Sequence, residues 1–289
     1  MKNNLMKILL SLVLLIFTFS CEVNSEKPTK PLPLSKDFIF IKGATIEGAI
    51  QAEGYTESPG FIAGGTVTIS DFYMCDHEVT QKEFARYYEG YEYRINENEK
   101  AIGDNYPAYD LNWFDALVYC NNRSIAEGRT PCYTINDSTN PKDWGKVPKS
   151  STWESWVNVT CDSSANGYRL PTHKEWEYAA RGGNALEGYQ FKYAGSDNLN
   201  EVAVWNTDIV SEIKTKKPNG LGIYDLNGNI EEWTFDKYKG NENVLYAGGY
   251  YFYKQPESFL LSRSYSSCIA MKLTARNSQI GLRVVCTAE

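Results

Sequence analysis

Two stretches of the chain repeat apolar residues at the spacing of an α-helix. The first begins at Thr80 and places three apolar rings on one helical face: Phe84, Tyr87 and Tyr88. The second covers about Asn112 to Ala126, where apolar side chains recur every three or four residues. The pattern therefore predicts two helices that each have one apolar side.

A third helix is predicted from the residues that mark its two ends. Thr172 and Glu175 form a capping box, in which the threonine oxygen accepts an N–H three residues on and the glutamate reaches back. Residues 181–183, Arg-Gly-Gly, supply the stop, because glycine readily adopts the conformation that ends a helix. The motif predicts a short helix with both ends fixed.

Short strands and loops are predicted between and after these helices. Residues 59–80 alternate apolar and polar positions around a Gly-Gly turn, which is the pattern of a short hairpin. Residues 219–236 contain two glycine turns and predict a strand, a tight turn and another strand. Residues 130–166 are rich in Pro, Ser, Thr and Asn, which predicts a loop.

The first residues of the chain have the pattern of an export signal. Lys2 and Lys7 flank the start of an apolar run at residues 8–19 that is too short for a membrane-spanning helix. A small residue directly precedes Cys21, as in the bacterial lipobox, in which that cysteine becomes lipidated after cleavage. We predict a lipoprotein signal at residues 1–20 and lipidation of Cys21. The alternative is ordinary secretory cleavage at the same place, without a lipid.

Composition divides the rest of the chain into a tether and a domain. The residues after Cys21 are polar and rich in proline, so we assign residues 21–58 to the lipidated cysteine and an extended tether. Residues 59–289 are the predicted domain, since a 289-residue chain with 42% hydrophobic residues can bury a large core. The net charge of -7 and the scattered Lys and Arg exclude the basic stripe that nucleic-acid binding requires.

The cysteines and histidines do not form a recognisable metal motif. The six cysteines beyond Cys21 include no CxxC pair. Export permits disulfides, and the sequence leaves open whether these cysteines pair or remain buried thiols. We expect His173 to be exposed, and we expect His77, beside Asp76 and Glu78, to lie in a solvated loop.

Five motifs resemble, in order, those of the formylglycine-generating-enzyme-like (sulfatase-modifying factor) family. They are GYRLPTHKEWEYAARGG at 167–183, YAG at 193–195, NGLGIYDLNGNIEEW at 219–233, AGGYY at 247–251 and IGLRVV at 280–285. The resemblance covers about residues 59–286. It implies an α+β protein with a C-type-lectin-like fold of the formylglycine-generating-enzyme type, with few helices, small twisted antiparallel sheets and much irregular structure.

The resemblance also shows where oxidase members of the family carry their catalytic cysteines. In those members, two cysteines separated by four residues bind copper between the Gly-Gly segment and the terminal arginine motif. Here Cys268 is the single cysteine in that window, with Arg263 five positions before it and Leu273 five positions after it. Because no second thiolate is present for disulfide exchange or soft-metal binding, we predict no catalytic residues.

Members of this family also hold an iron site or a calcium site. The sulfur-joining members use an iron site of several histidines, whereas this chain has two. The oxidase members hold structural calcium, and the resemblance places Asn229 and Glu232 near one such position with hard oxygen ligands. The alternative, which we favour, is that Asn229 serves a turn and Glu232 bonds backbone N–H groups. We predict no cofactor and no bound metal, and we assign no catalytic role to Glu231 or Glu232.

The C-terminal segment, about residues 246–286, resembles the variable region of proteins diversified by retroelements. Framework-like ends enclose residues that randomised adenines of Asn codons can mostly encode. Four consecutive aromatic residues occupy 250–253, and in a strand only alternate rings can enter one core. Tyr and Ser also suit an adaptable binding surface. The candidate ligand contacts are Tyr250, Phe252, Tyr253, Ser266, Ser267, Cys268, Ile269, Leu273 and Asn277.

These observations predict a surface-displayed lipoprotein that binds a ligand through its variable C-terminal face. The ligand is expected to be a protein or a host- or cell-surface molecule. The membrane is contacted through the lipid anchor only, and the expected location is the outer membrane, facing the cell surface. Two alternatives remain open: a formylglycine-generating-type oxidase or sulfur-joining enzyme with an atypical site, and a structural envelope lipoprotein without a specific ligand.

Overall fold

The helices are short and are separated by long irregular connections. The structure is a computed structural model that describes residues 32–47, 65–91, 101–149, 156, 158–183, 191–238, 243–255, 271–276 and 278–288. Its α-helices are Gln81–Tyr87 (α1), Trp113–Ala126 (α2), His173–Ala180 (α3) and Leu199–Val202 (α4), and Pro141–Asp143 is a 3₁₀-helix. Within these ranges, no helix combines the length and the apolar character needed to span a bilayer.

The strands are also short and occur from the first to the last described segment. They are Phe38–Ile41 (β1), Ala44–Ile46 (β2), Val67–Ile69 (β3), Phe72–Cys75 (β4), Tyr133–Thr134 (β5), Thr160–Cys161 (β6), Tyr168–Arg169 (β7), Ala203–Val204 (β8), Asn227–Gly228 (β9), Glu231–Tyr238 (β10), Asn243–Ala247 (β11), Met271–Lys272 (β12), Ile280–Gly281 (β13) and Val285–Thr287 (β14).

The main sheet contains the last strand of the chain in its interior. Its order is β1-β4-β14-β7, and every neighbouring pair is antiparallel. Val285 of β14 lies opposite both Met74 of β4 and Arg169 of β7. The C-terminal strand therefore joins segments that are far apart in the sequence.

A second sheet leads to the C-terminal segment of interest. Its order is β12-β11-β10-β13, in which β13 is parallel to β10 and the other pairs are antiparallel. Three two-stranded pairs accompany it: β2-β3, β5-β6 and the parallel β8-β9. The predicted fold class is confirmed, since helices are few and the sheets are small and mainly antiparallel.

Each of the first three α-helices begins with a capping box. Thr80, Asn112 and Thr172 are the N-caps. Each N-cap side chain accepts the backbone N–H three residues on, and the acidic side chain at that position accepts the backbone N–H of the N-cap. The three helix starts predicted from the sequence are confirmed. The capping box at Thr172 was predicted from the sequence motif, whereas the capping boxes at Thr80 and Asn112 were not.

Aromatic side chains fill much of one large buried cluster, hereafter the main core, which includes Phe84, Trp113, Tyr133 and Trp233. Their polar atoms form hydrogen bonds there. The indole Nε1 of Trp113 donates to the Thr234 carbonyl at 2.9 Å. The Tyr133 hydroxyl accepts the backbone N–H of Leu170 at 2.8 Å. Because such bonds remove most of the cost of burying a polar ring atom, part of the high tyrosine content belongs to the core.

The folded unit begins earlier than the predicted boundary at residue 59. Strand β1 pairs with β4, with Phe38 opposite Cys75, and β2 pairs with β3. Residues 38–46 therefore belong to the domain rather than to the tether, which corrects the prediction. The sequence pattern missed them because two strands of three or four residues are too short to show a period. The predicted signal peptide lies outside the described residues.

Two strand predictions also differ from the structure. The segment after the first Gly-Gly turn contains β3 and β4, which join different sheets instead of forming one hairpin. In residues 219–236 the second predicted strand is confirmed as β10, but residues 223–226 are not a strand. Their N–H groups bond elsewhere: that of Ile223 donates to the Asn219 side chain, and that of Tyr224 donates to the Asp76 carbonyl.

Candidate ligand-binding face

Strand β11 ends at two glycines, after which the chain forms a tight turn. Gly248 and Gly249 have φ angles of 99° and 73°, which glycine adopts without the steric cost of a Cβ atom. The turn is closed by the N–H of Tyr253, which donates to the Tyr250 carbonyl at 3.2 Å. Residues 250–253, hereafter the aromatic turn, are therefore not a strand, and their rings do not alternate between two sides of a sheet.

Three backbone hydrogen bonds attach the aromatic turn to neighbouring loops. The N–H of Tyr251 donates to the Asn229 carbonyl at 2.9 Å. The carbonyls of Tyr251 and Tyr253 accept from Thr207 and Asn206 at 2.9 and 3.0 Å. Because these bonds use a donor and two acceptors of the turn, they hold its backbone in place although it lies outside the sheet.

The aromatic turn brings together three of the predicted contacts. Phe252 is 43% exposed, and Tyr250 and Tyr253 are half-buried. The Tyr250 ring centroid lies 4.3 Å from that of Tyr253 and 5.7 Å from that of Tyr251. The Lys254 Nζ lies 4.9 Å from the Phe252 centroid. The result is a contiguous aromatic surface with an ammonium group at its side.

One predicted contact is wrong. Leu273 is 3% exposed and packs in the main core, and its carbonyl accepts the N–H of Trp113 at the start of α2. A side chain that is buried against the start of a helix cannot contact a ligand. The remaining candidates, Ser266, Ser267, Cys268, Ile269 and Asn277, lie outside the described residues.

Two consecutive glutamates of β10 have different surroundings. The Glu231 carboxylate accepts from the Tyr253 hydroxyl at 3.0 Å, below the aromatic turn. The Glu232 carboxylate accepts from the Trp176 indole at 2.6 Å and from Arg283. Successive residues of a strand point to opposite sides, which separates the two carboxylates. The sequence analysis assigned neither a catalytic role, and only the strand assignment shows that they face opposite sides.

Glu231 is a buried acid at the edge of the candidate face. It is 3% exposed, and this burial raises its pKa to about 8, whereas the bond from Tyr253 acts in the opposite direction. A carboxyl group with this pKa is mostly protonated at neutral pH. A buried acid that is mostly uncharged at neutral pH therefore lies at the edge of the face.

The partner of Glu232 is the arginine of the terminal family motif. Arg283 Nε lies 3.1 Å from both carboxylate oxygens, and Nη2 lies 2.7 Å from Oε1. The guanidinium also donates to the Cys75 carbonyl at 3.1 Å and to the Tyr224 carbonyl at 2.8 Å. Both charged side chains are fully buried. One contact thus joins β4, β10 and the loop before β9.

The two residues near the expected calcium position do not fit that ion. Asn229 has a φ of 59°, its Oδ1 accepts from Ser211, and its Nδ2 donates to Glu78 at 2.7 Å. Both oxygens of Glu232 are bonded to Arg283. Asn229 serves a turn, as expected. Glu232 bonds a guanidinium and an indole instead of backbone N–H groups, which corrects the prediction.

The expected solvated loop around His77 is instead a buried ion-pair cluster. His77 Nδ1 lies 2.6 Å from Asp76, and Nε2 lies 3.3 Å from Glu83. Burial alone would lower its pKa, but Cys75 and the two carboxylates outweigh burial and raise the pKa to about 12. Cys75, Asp76 and His77 place ligand atoms within 4.8 Å of one another. The protonated imidazole and the Lys214 ammonium, 2.7 Å from Asp76, oppose a metal ion there.

The second histidine and four of the five described cysteines are also buried, and Cys161 is half-buried. His173 is buried, contrary to expectation, and burial lowers its pKa to about 4, so it is neutral at physiological pH. Five cysteines are described, all as free thiols: Cys75, Cys120, Cys132, Cys161 and Cys286. Burial raises the pKa of Cys132 to about 11 and that of Cys161 and Cys286 to about 12. Thiols of this kind are poor nucleophiles at neutral pH.

This fold and its motifs belong to a known family. Residues 24–288 match the family model of the sulfatase-modifying factor enzyme 1-like domain, and the chain belongs to that family. Its fold is therefore the C-type-lectin-like fold of the formylglycine-generating-enzyme type, as predicted.

The relatives of this chain have names that describe different kinds of protein. The chain is 33% identical over 224 residues to chaperone protein LppX of Paenibacillus barcinonensis, which covers 70% of this chain and 72% of the relative. It is 34% identical over 104 residues to inactive C-alpha-formylglycine-generating enzyme 2 of Bos taurus, covering 32% and 34%. The structure of Treponema denticola variable protein 1 matches with a TM-score of 0.70 at 24% identity, covering 90% and 99%. The family thus includes a member named as inactive.

Replacing Arg283 by methionine should strongly destabilise the protein, because the buried Glu232 carboxylate would lose its countercharge. Removing one partner of a buried pair costs about 3–5 kcal/mol. The free energy of unfolding, measured by denaturant titration, should fall by that amount.

Two further variants act as controls for this measurement. The double variant R283M/E232M should recover part of the loss, since no charge is then left buried alone. Lys42→Met removes an exposed pair with Asp71 and should change stability little. A loss in Arg283→Met no larger than that in Lys42→Met would contradict the importance of the buried pair.

Proposed function

We propose that this protein is an exported, lipid-anchored binding protein that holds a protein or cell-surface ligand on the face around the aromatic turn. The observation that supports this most directly is the turn itself, where a fixed backbone carries four adjacent aromatic side chains at the surface. Rigid amphipathic rings give contact area at low entropy cost, and aromatic residues dominate binding hot spots.

Part of the support of the face does not depend on its side chains. Three bonds of the turn use backbone atoms, which are the same for every residue type except proline, and the Phe252 side chain is exposed, whereas the Tyr253 hydroxyl is bonded to Glu231. Two small buried clusters support the turn: one with Leu199 and Val202 contacts Tyr253, and one with Val210 and Ile230 contacts Tyr251. A binding surface of this kind can be diversified, as surface loops on a rigid scaffold commonly are.

Diversification of residues 246–286 by a retroelement is part of the proposal. It is supported by the framework pattern of the sequence and by the fold shared with a protein named as variable. The DNA downstream of the gene tests it. A near-identical repeat that differs at adenines, together with a reverse transcriptase, is expected, and the absence of both would remove this part while leaving ligand binding in place.

The proposal includes no enzymatic role. This part of the proposal is supported by the segment in which oxidase members carry two cysteines, because here that segment contains Cys268 and no second cysteine. The alternative of an oxidase or sulfur-joining enzyme is tested by oxygen consumption with a cysteine-containing peptide. Sustained turnover would favour the enzyme.

A chaperone role is a second candidate. It is favoured by the relative from Paenibacillus barcinonensis, which is named a chaperone and matches most of the chain. A chaperone would bind unfolded exported chains, whereas a dedicated receptor would bind a folded partner. Suppression of the aggregation of reduced, unfolded lysozyme distinguishes the two, and only the chaperone is expected to show it.

Phe252→Ala should weaken ligand binding, because this ring is the most exposed part of the aromatic turn. A photoreactive phenylalanine analogue at position 252 of the full chain should cross-link one discrete partner among biotinylated cell-surface proteins. That partner, once purified, should bind Phe252→Ala about tenfold more weakly or worse, as for a central aromatic contact.

Phe40 is the matched control for this experiment. It is 46% exposed, similar to Phe252, but lies on β1 in the main sheet. The same analogue at position 40 should give no discrete cross-link, and Phe40→Ala should bind normally. Equal results at the two positions would refute the assignment of the face.

Cys21→Ser should abolish the lipid anchor, because the thiol that carries the acyl chain is absent. Cells labelled with radioactive palmitate should show label in the wild-type chain and none in the variant. The wild-type chain should also partition into the detergent phase, and external protease should remove it from intact cells. An unlabelled wild-type chain would show that Cys21 is not a lipid attachment site.

A further inference from the structure

We propose that the candidate face recognises a cationic side chain of its protein partner, a lysine ammonium, with Glu231 as the countercharge and the Tyr250 and Tyr253 rings as the walls. This inference rests on the proposed function and specifies the chemistry of the ligand. It rests on the position of one buried acid under an aromatic surface.

Glu231 is held firmly at the base of the face. It is the first residue of β10, it lies opposite Ile280 of β13, and its N–H donates to the Gln279 carbonyl at 2.8 Å. Its carboxyl group accepts from the Tyr253 hydroxyl at 3.0 Å. Because Tyr253 belongs to the aromatic turn, the carboxyl group is connected directly to the surface that binds the ligand.

The charge balance around Glu231 differs from that around its neighbour. Glu232 has Arg283 as a buried countercharge. Among the described residues, no lysine or arginine forms an ion pair with Glu231. An ionised carboxylate buried without a partner is costly, so the group holds a proton until a cation is supplied. A ligand ammonium would supply that cation.

The surrounding rings suit the same ligand. Tyr250 and Tyr253 have centroids 4.3 Å apart, and both are half-buried beside the acid. Cations bind over tyrosine and phenylalanine faces, with larger gains where water is partly excluded. The face already holds one ammonium in this way, since Lys254 Nζ lies 4.9 Å from the Phe252 ring. A lysine ammonium that takes the place of the Tyr253 hydroxyl at the Glu231 carboxylate, and that lies against this ring pair, would combine both interactions.

The proposal predicts a defined dependence on pH. Glu231 must release its proton when it pairs with the ammonium, and its pKa is about 8. As the pH increases toward this pKa, the affinity should rise about tenfold per pH unit, and at higher pH the affinity should become constant. Among the residues that the structure describes, the ionisable groups beside it are Tyr250 and Tyr253. Burial raises the pKa values of both, so they stay protonated in this range.

The test uses the full chain in detergent and a fluorescent peptide that contains two lysines separated by glycine. Fluorescence anisotropy should show binding that strengthens between about pH 6 and about pH 8, and the same peptide with acetylated lysines should not bind. Glu231→Gln keeps the shape of the side chain and should weaken binding about tenfold or more and abolish its pH dependence.

Glu212→Gln and Tyr253→Phe complete the experiment. Glu212 is exposed, so its replacement removes one charge from the surface without touching the face, and binding should remain as in the wild type. Tyr253→Phe removes the hydrogen bond that lowers the Glu231 pKa, so the pH midpoint should move upward. Equal losses in Glu231→Gln and Glu212→Gln, or binding of the acetylated peptide, would overturn the inference.

The outcome is separable from that of the proposed function. If Phe252→Ala releases the cross-linked partner while Glu231→Gln retains it fully, the face binds a ligand but not through a cation. If neither variant affects the partner, the face itself is wrongly assigned.

Discussion

The buried pair of Arg283 and Glu232 is the interaction on which the other features depend. It connects the terminal motif to β10, and its remaining donors reach the carbonyls of Cys75 and Tyr224. A buried ion pair adds little net stability over apolar packing, but it tolerates few alternative geometries. Two motifs that look separate in the sequence therefore meet in one contact, which links β4, β10 and the loop before β9.

Much of the local structure is predictable because its causes lie within a few residues. The helix starts at Thr80, Asn112 and Thr172 are set by a side chain and a backbone group three positions apart. The strands are different, because most have two to four residues and their partners come from distant segments. No periodicity can develop over that length, so β1 and β2 were assigned to the tether and the hairpin around residue 70 was wrong.

The site shows the same division between local and distant causes. An aromatic surface at residues 250–253 could be proposed because only alternate rings of a strand can enter one core, although the segment proved to be a turn. Leu273 could not be excluded, because its burial depends on α2, which begins at Trp113. His77 and His173 were expected at the surface, and only the elements packed against them show otherwise. Glu231 and Glu232 are chemically identical neighbours, and the pleat of β10 alone gives them different environments.

The interior position of β14 in the main sheet determines when that sheet can form. This strand lies between β4 and β7, although it follows both of them in the sequence by more than 100 residues, so the sheet is incomplete until residues 285–287 are present. A chain still being made or exported would expose the facing edges of two strands, which are prone to pair wrongly. The main sheet can therefore close only after β14 has been made. A chain that stops before β14 would leave β4 and β7 without the strand that joins them.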